Sequence, residues 1–197
     1  MITIIDYKSG NIRSISNGFR KLNCEVEVTS DVEKIASADY LVLPGVGAFG
    51  EAMKNIEPFK EVIYEHVQED KPFLGICLGQ QLLMSDSEET HDVRGLDLFK
   101  GSVKYLPVTD LKIPHMGWNK LKVTNNSPVL DGIGGKYFYF VHSYHTVPEE
   151  SDIIAGTTDY GMDIVAALSR NNLFSTQFHP EKSGRDGLKI LKNFINL

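Results

Sequence analysis

Pro72-Phe73-Leu74-Gly75-Ile76-Cys77-Leu78-Gly79-Gln80-Gln81-Leu82-Leu83-Met84 begins as a short apolar run and changes to helical spacing at Cys77, with glycines at 75 and 79. The pattern predicts a strand, a tight turn and a helix. Gly-x-Cys-x-Gly is the thiol counterpart of the nucleophile elbow. Small residues two before and two after the nucleophile let strand and helix pack closely about a strained turn, which holds the sulfur clear of the backbone. A cysteine at a helix N-terminus also faces the positive end of the helix dipole and free amide N–H groups, both of which favour the nucleophilic thiolate. A core cysteine buried after a strand carries the same local pattern without the chemistry.

Far downstream, the apolar run Leu173-Phe174-Ser175-Thr176 leads into Gln177-Phe178-His179-Pro180-Glu181. His179 is expected to emerge at the end of a strand, with Pro180 stiffening the step to Glu181. A thiol nucleophile needs a base, and the base needs a carboxylate on its other nitrogen to fix tautomer and orientation. Glu181 fits that place. Taken alone, His-Pro-Glu is also an ordinary loop turn.

The chain has 197 residues, enough for one sizeable core, and no Pro/Gly/Ser-rich or charge-rich linker divides it, so a single domain over 1–197 is expected. Hydrophobic residues make up 42% and charged residues 23%, ordinary values for a globular protein, and the net charge of −6 argues against a general nucleic-acid surface. Lys and Arg are scattered, no apolar run reaches the ~20 residues of a membrane span, and Met1 to Asp6 is too short for a signal peptide. The two cysteines, Cys24 and Cys77, form no disulfide framework, and a catalytic thiol is easiest to keep in a reducing compartment, so a cytoplasmic protein is expected. The six histidines lack the spacings of a zinc site, and neither metal nor organic cofactor is called for.

Along the chain, Ile2–Ile5 reads as a buried strand, and Ile12, Ile15, Phe19 and Leu22 as one face of a helix closed near Asn23. Val26 and Val28 alternate with Glu25 and Glu27 in a half-exposed strand; Asp31–Ala38 is helical and Tyr40–Leu43 a third strand. Pro44-Gly45-Val46-Gly47-Ala48-Phe49-Gly50 then opens a helix, its glycines able to turn backbone N–H groups toward an anion. It lacks the Lys-Ser/Thr end of a P-loop and the full dinucleotide-binding spacing. Phe59, Val62, Ile63 and Val67 form a core face of a helix over 59–68, and Ser85 to Thr90, with Glu88 and Glu89, is expected to be a solvated acidic loop. From Gly101 the strands become shorter and more polar: 103–106, 121–123, 137–141, 153–157 and 164–168. A last helix spans Arg185 to Ile195, with Leu188, Leu191, Phe194 and Ile195 inward. Strands alternating with helices, followed by a run of strands, indicate an α/β fold: a mostly parallel central sheet flanked by helices, with an antiparallel extension and the site at the carboxyl ends of the strands.

Gly75-Ile76-Cys77-Leu78-Gly79 together with His179-Pro180-Glu181 resembles the class I, triad-type glutamine amidotransferases, a flavodoxin-like fold that releases ammonia from glutamine through a γ-glutamyl thioester. Within that class, Pro114-His115-Met116-Gly117-Trp118-Asn119, Tyr139-Phe140-Val141-His142-Ser143-Tyr144 and His179-Pro180-Glu181-Lys182-Ser183-Gly184 are similar to glutaminase subunits of imidazole glycerol phosphate synthases of histidine biosynthesis. The resemblance implies Cys77 as nucleophile, His179 as base and Glu181 as its orienter. It also implies an oxyanion site made by the amide of Val46 or Gly47 with that of Leu78, and a glutamine pocket lined by Gln81, Ser143 and Tyr144. Met116 and Trp118 would sit on a loop facing a (β/α)8-barrel cyclase that consumes the ammonia, with Tyr139 and Lys182 at the same junction. A Trp packed into a strand turn is the plainer reading of Trp118. Lys8, Gln80 and Asp97 depart from the family, which usually has a small residue, Met and Gly there. Three other readings stay open: the same glutaminase feeding a sugar-amidating synthase of surface polysaccharides, a stand-alone γ-glutamyl cysteine hydrolase, and a scaffold that kept the fold without the activity.

Overall fold

The structure is a computed structural model that describes residues 1–197. Strand β1 (Ile2–Ile5) is followed by helix α1 (Ile12–Arg20), β2 (Val26–Thr29), α2 (Val32–Ala36), β3 (Tyr40–Gly45), α3 (Phe49–Ile56) and α4 (Lys60–Gln68). Next come β4 (Phe73–Cys77), α5 (Leu78–Leu82), the two-residue β5 (Asp86–Ser87) and β6 (Gly101–Tyr105). The second half comprises β7 (His115–Val123), β8 (Tyr137–His142), β9 (Tyr144–Pro148), β10 (Ile154–Asp159), β11 (Asp163–Arg170), β12 (Leu173–Thr176) and α6 (Gly184–Phe194).

Nine strands form one sheet in the order β2-β1-β3-β4-β12-β11-β10-β7-β8. The first five are parallel, since β12 pairs with β4 in the same direction, and the remaining pairs are antiparallel. The parallel half is covered on both faces, and this is why its strands read as unbroken apolar runs. Ile4, Val42, Leu74 and Ile76 pack with Ile15, Phe19, Leu191 and Phe194 of α1 and α6. Their neighbours Ile5, Leu41, Leu43 and Phe73 point the other way, to Phe49, Met53 and Ile63 of α3 and α4. Each fully buried side chain of this kind contributes about 2 kcal/mol relative to exposure.

The local signals account for most boundaries. Asp31 caps α2 by accepting the Glu33 N–H at 2.9 Å. The chain leaves α1 through Asn23 in a left-handed conformation, φ 59°. Asp97 is also left-handed, φ 54°, a conformation that Asp tolerates, and its carboxylate is held by Ser85 and Lys100.

Three expectations are corrected. The stretch 114–119 is not a loop: His115 opens the nine-residue β7, whose inward His115 and Leu121 alternate with exposed Met116, Trp118 and Lys120. Aromatic pairing with β8 extends it well before the expected start at Leu121, with Trp118 opposite Tyr139. The helix after Cys77 runs only to Leu82, because Leu83 and Met84 turn back and their carbonyls bind the N–H groups of Phe99 and Asp97. In α6 the fully buried residues include Ile190 with Leu191 and Phe194, while Leu188 and Ile195 are half-buried at the margin.

A Cβ on Gly79 would collide with the Leu43 carbonyl of β3, so α5 can lie against β3 only with glycine there. Gly79→Ala is expected to cost about 3 kcal/mol, seen in thermal unfolding as a fall in Tm of roughly 10 °C for a chain of this size; an unchanged Tm would contradict the close packing.

Candidate active site

Four loops at the carboxyl ends of adjacent parallel strands converge: those after β1, β3, β4 and β12. Cys77 ends β4 opposite Gly45, the end of β3. Its backbone, φ 56° and ψ −107°, occupies a region that non-glycine residues rarely adopt, as a nucleophile elbow requires. The residue is 6% exposed, at the floor of a cleft of about 300 Å³.

That cleft is lined by Cys77 with Val46, Gly47, Leu78, Gln81, Ser143 and Tyr144, so all six oxyanion and substrate candidates meet the sulfur in one cavity. Leu78 is the first residue of α5, where N–H groups lack intrahelical acceptors. Gly47 has φ 113°, a conformation that favours glycine, and the preceding Val46 carbonyl accepts a 2.6 Å hydrogen bond from Ser9 Oγ–H. Below it, Tyr7 Oη donates to the Pro44 carbonyl at 2.6 Å, and burial pushes the phenol pKa upward. The Pro44–Gly47 segment is thus tethered to the loop after β1 at two points.

His179 and Glu181 stand behind the sulfur rather than in the cleft wall, each side chain 2% exposed. His179 Nδ1 bonds Glu181 Oε1 at 2.9 Å, and its Nε2 has no hydrogen-bond partner. The thiol instead donates to the Val141 carbonyl at 3.9 Å. Burial alone would lower the His179 pKa, but the neighbouring thiol and the Glu181 carboxylate outweigh it and raise it to about 9. The backbone of His179 is anchored as well: its N–H donates to the Tyr139 carbonyl at 2.9 Å, and its carbonyl accepts from Ser183 Oγ–H at 2.6 Å. Ser183 Oγ in turn accepts from the Tyr139 N–H at 3.0 Å.

Two contributors escaped the sequence reading. Glu89 is not part of a solvated run: its carboxylate accepts the Phe49 N–H at 2.7 Å and lines the cleft, whereas Glu88 caps the Tyr105 N–H at 3.1 Å. No local pattern marks Glu89, since its partner is 40 positions away. His142 also lines the cleft and donates Nδ1–H to the Tyr144 carbonyl at 2.8 Å. Burial, with His115 at 2.9 Å, lowers its pKa to about 3 and leaves it neutral.

The four interface candidates form one surface group. Met116 and Trp118 are 61% and 53% exposed, so Trp118 is not packed into a strand turn. The Trp118 and Tyr139 rings meet edge to face at 6.1 Å, and Lys182 Nζ lies 5.9 Å from the Tyr139 ring.

Residues 3–197 match the family model of the class-I glutamine amidotransferases. The chain belongs to that family. It is 51% identical, over its full length and 98% of the other chain, to the imidazole glycerol phosphate synthase subunit HisH of Methanothermobacter thermautotrophicus. It is 49% identical, over the full length of both, to the subunit of the same name from Methanocaldococcus jannaschii. Among solved structures, a GMP synthase subunit from Thermoplasma acidophilum superposes with a TM-score of 0.76 at 21% identity, covering 99% of this chain and 92% of that one. PurLQS from Thermotoga maritima gives 0.75 at 18%, covering 99% and 97%. These structures share the fold, a mixed sheet flanked by helices. The chain is a glutamine amidotransferase enzyme, a glutaminase. No helix is long and apolar enough to cross a membrane.

An unfolded histidine loses its proton near pH 6.5, whereas folded His179 holds it to about 9. The charged ring therefore adds stability that is fully present below pH 6.5 and is lost as pH rises through 9. In an NMR titration the His179 ring is expected to show this raised midpoint, and Glu181→Gln, which removes the carboxylate charge, to lower it; an unshifted midpoint in the variant would remove Glu181 from its role as orienter.

Proposed function

We propose that the chain hydrolyses glutamine at Cys77 and passes the ammonia to a separate (β/α)8-barrel cyclase, as the glutaminase subunit of an imidazole glycerol phosphate synthase. The single observation carrying the chemistry is the convergence of Cys77, His179 and Glu181 with a cleft that holds two amide segments beside the sulfur.

Glutamine enters with its side-chain amide over Cys77. Glu89, the carboxylate in the cleft wall, pairs with the α-ammonium, and the wall at Ser143 and Tyr144 takes the rest of the amino-acid end. The Cys77 thiolate attacks the amide carbon. The oxygen that becomes negative is held by the Leu78 N–H and an N–H of the Val46–Gly47 segment, each donor contributing about 3 kcal/mol. Protonated His179 gives its proton to the departing nitrogen, and ammonia leaves. The neutral imidazole then takes a proton from water, which attacks the thioester; glutamate departs and the thiolate is restored. His179 is the proton carrier in both steps, and its charged form, present before the first and after the second, is stabilised by Glu181. For attack, Sγ turns from the Val141 carbonyl toward the free Nε2.

Ammonia is largely protonated in neutral water and useless as a nucleophile in that form, so a synthase must receive it directly. The Met116, Trp118, Tyr139 and Lys182 face is the docking surface for the cyclase: exposed aromatics and methionine with a cation are typical interface anchors. Supporting the barrel cyclase over other synthases is the full-length similarity to HisH subunits.

The reading is tested by glutamate release from glutamine with the chain alone, then with a barrel cyclase and its ribonucleotide ligand. Activation by the mixture is expected, and Cys77→Ala abolishes turnover in both; full activity alone, unaffected by the cyclase, would instead favour a stand-alone hydrolase. In titration calorimetry Trp118→Ala is expected to weaken cyclase binding by about 2 kcal/mol, roughly thirtyfold. Unaltered affinity would move the interface elsewhere.

A further inference from the structure

Two carboxamides lie between the substrate cleft and the nucleophile. Gln81 Nε2 donates both to the Tyr144 carbonyl at 3.0 Å and to Gln177 Oε1 at 3.1 Å. A peptide carbonyl only accepts, so the amide of Gln81 has one permitted orientation, and Gln177 must turn its oxygen to Gln81. Its NH2 group is then directed at Cys77 Sγ, 3.8 Å away. Register puts it there: β12 runs parallel to β4 with Thr176 opposite Ile76, so the next residue of each chain segment stands abreast. Gln177 is fully buried and its main-chain N–H is bound to the Ala166 carbonyl at 2.8 Å, leaving the side chain no solvent to compete for the donor.

We propose that Gln177 is a catalytic residue in contact with the reacting atom: its carboxamide N–H donates to the Cys77 sulfur and favours the thiolate, while its oxygen, held by Gln81, keeps that N–H aimed at the sulfur. The inference rests on Cys77 being the nucleophile. Against a neutral thiol the contact is long and weak. When the sulfur is charged the same contact becomes charge-assisted and shortens. It is released as the thioester forms and regained when thiolate departs during hydrolysis, so it raises the thiolate population before attack and stabilises the departing sulfur in the second step. No bond to Gln177 forms or breaks. The triad does not supply this donor, because His179 gives its proton to the leaving nitrogen while Gln177 keeps its own.

The test is the pH dependence of alkylation of Cys77 by iodoacetamide in the full-length chain, read by mass spectrometry on the Cys77 peptide so that Cys24 does not interfere. Gln177→Leu removes donor and acceptor at similar size; Gln177→Glu keeps the acceptor for Gln81 and replaces the donor with a negative charge. Relative to the unmodified chain, Gln177→Leu is expected to move the alkylation midpoint up by about one pH unit, a roughly tenfold loss of rate below it. Gln177→Glu moves it further. With the cyclase present, kcat falls about tenfold in Gln177→Leu with little change in KM. A folded Gln177→Leu with an unshifted profile overturns the proposal, as do equal shifts in the two variants, which packing alone would produce. If Gln177→Leu fails to fold, Gln177→Met, which is uncharged and also lacks the donor, decides by the same profile. A Cys77 that does not alkylate in the unmodified chain, or turnover surviving in Cys77→Ala, sinks the nucleophile assignment instead, and the two failures are distinct.

Discussion

The contact between Gly79 and the Leu43 carbonyl is the constraint on which the site depends. It lets α5 lie directly on β3, and a helix so close to the sheet cannot be joined to β4 by a relaxed turn. The connection is made by Cys77 in a positive-φ conformation, and the cost of that conformation is offset by the pairing of β4 with β3 on one side and β12 on the other. Because β4 is central, everything on those two neighbours arrives at fixed register around the sulfur. β3 delivers Val46 and Gly47 just past the Gly45–Cys77 pair, and β12 delivers Gln177 abreast of it and His179 two residues on.

The two halves of the sheet divide the work. The parallel half, buried on both faces, supplies the nucleophile, the base and the amide segments. The antiparallel half supplies the far wall of the cleft through Val141 to Tyr144 and, on its outer side, the exposed Met116 and Trp118. Joining them is a short chain of hydrogen bonds, from the Tyr139 N–H to Ser183 Oγ and from Ser183 Oγ–H to the His179 carbonyl, closed by the His179 N–H on the Tyr139 carbonyl. The aromatic surface is therefore bonded through backbone to the residue that carries the proton. A ligand bound to Tyr139 bears on the His179 ring through these contacts and through the Tyr139 ring itself, whose centroid lies 6.5 Å from that of His179.

Electrostatics in the site follow from unequal surroundings of similar rings. His142 and His179 are both buried, and burial disfavours the charged ring in each. His142 has another histidine beside it, and the one carbonyl it bonds does not offset burial, so it stays neutral; His179 has the Cys77 sulfur and a carboxylate, so its charge is favoured. The same desolvation that would silence an isolated histidine makes the Glu181 pairing effective, because water does not screen it.

Residues whose role is written in their near neighbours were legible in the chain itself. Gly75, Cys77 and Gly79 announce a strained turn because only small residues permit it, and His179 with Glu181 lie two apart, close enough to bond without help from the rest of the fold. Apolar period and length determined the five parallel strands and the helices that cover them. Glu89 was not legible, since its meaning lies in the Phe49 N–H; nor was β7, whose glycine and aromatics look like a turn until β8 pairs with them. The exposure of Trp118 was equally beyond reach, because a strand's alternation says that two faces differ but not which one another layer will cover. The sequence alone determined the local geometry at Cys77 and at the His179–Glu181 pair. Only the tertiary structure decided their meeting, because parallel register between strands a hundred residues apart is set by packing of the whole sheet and by nothing in either strand.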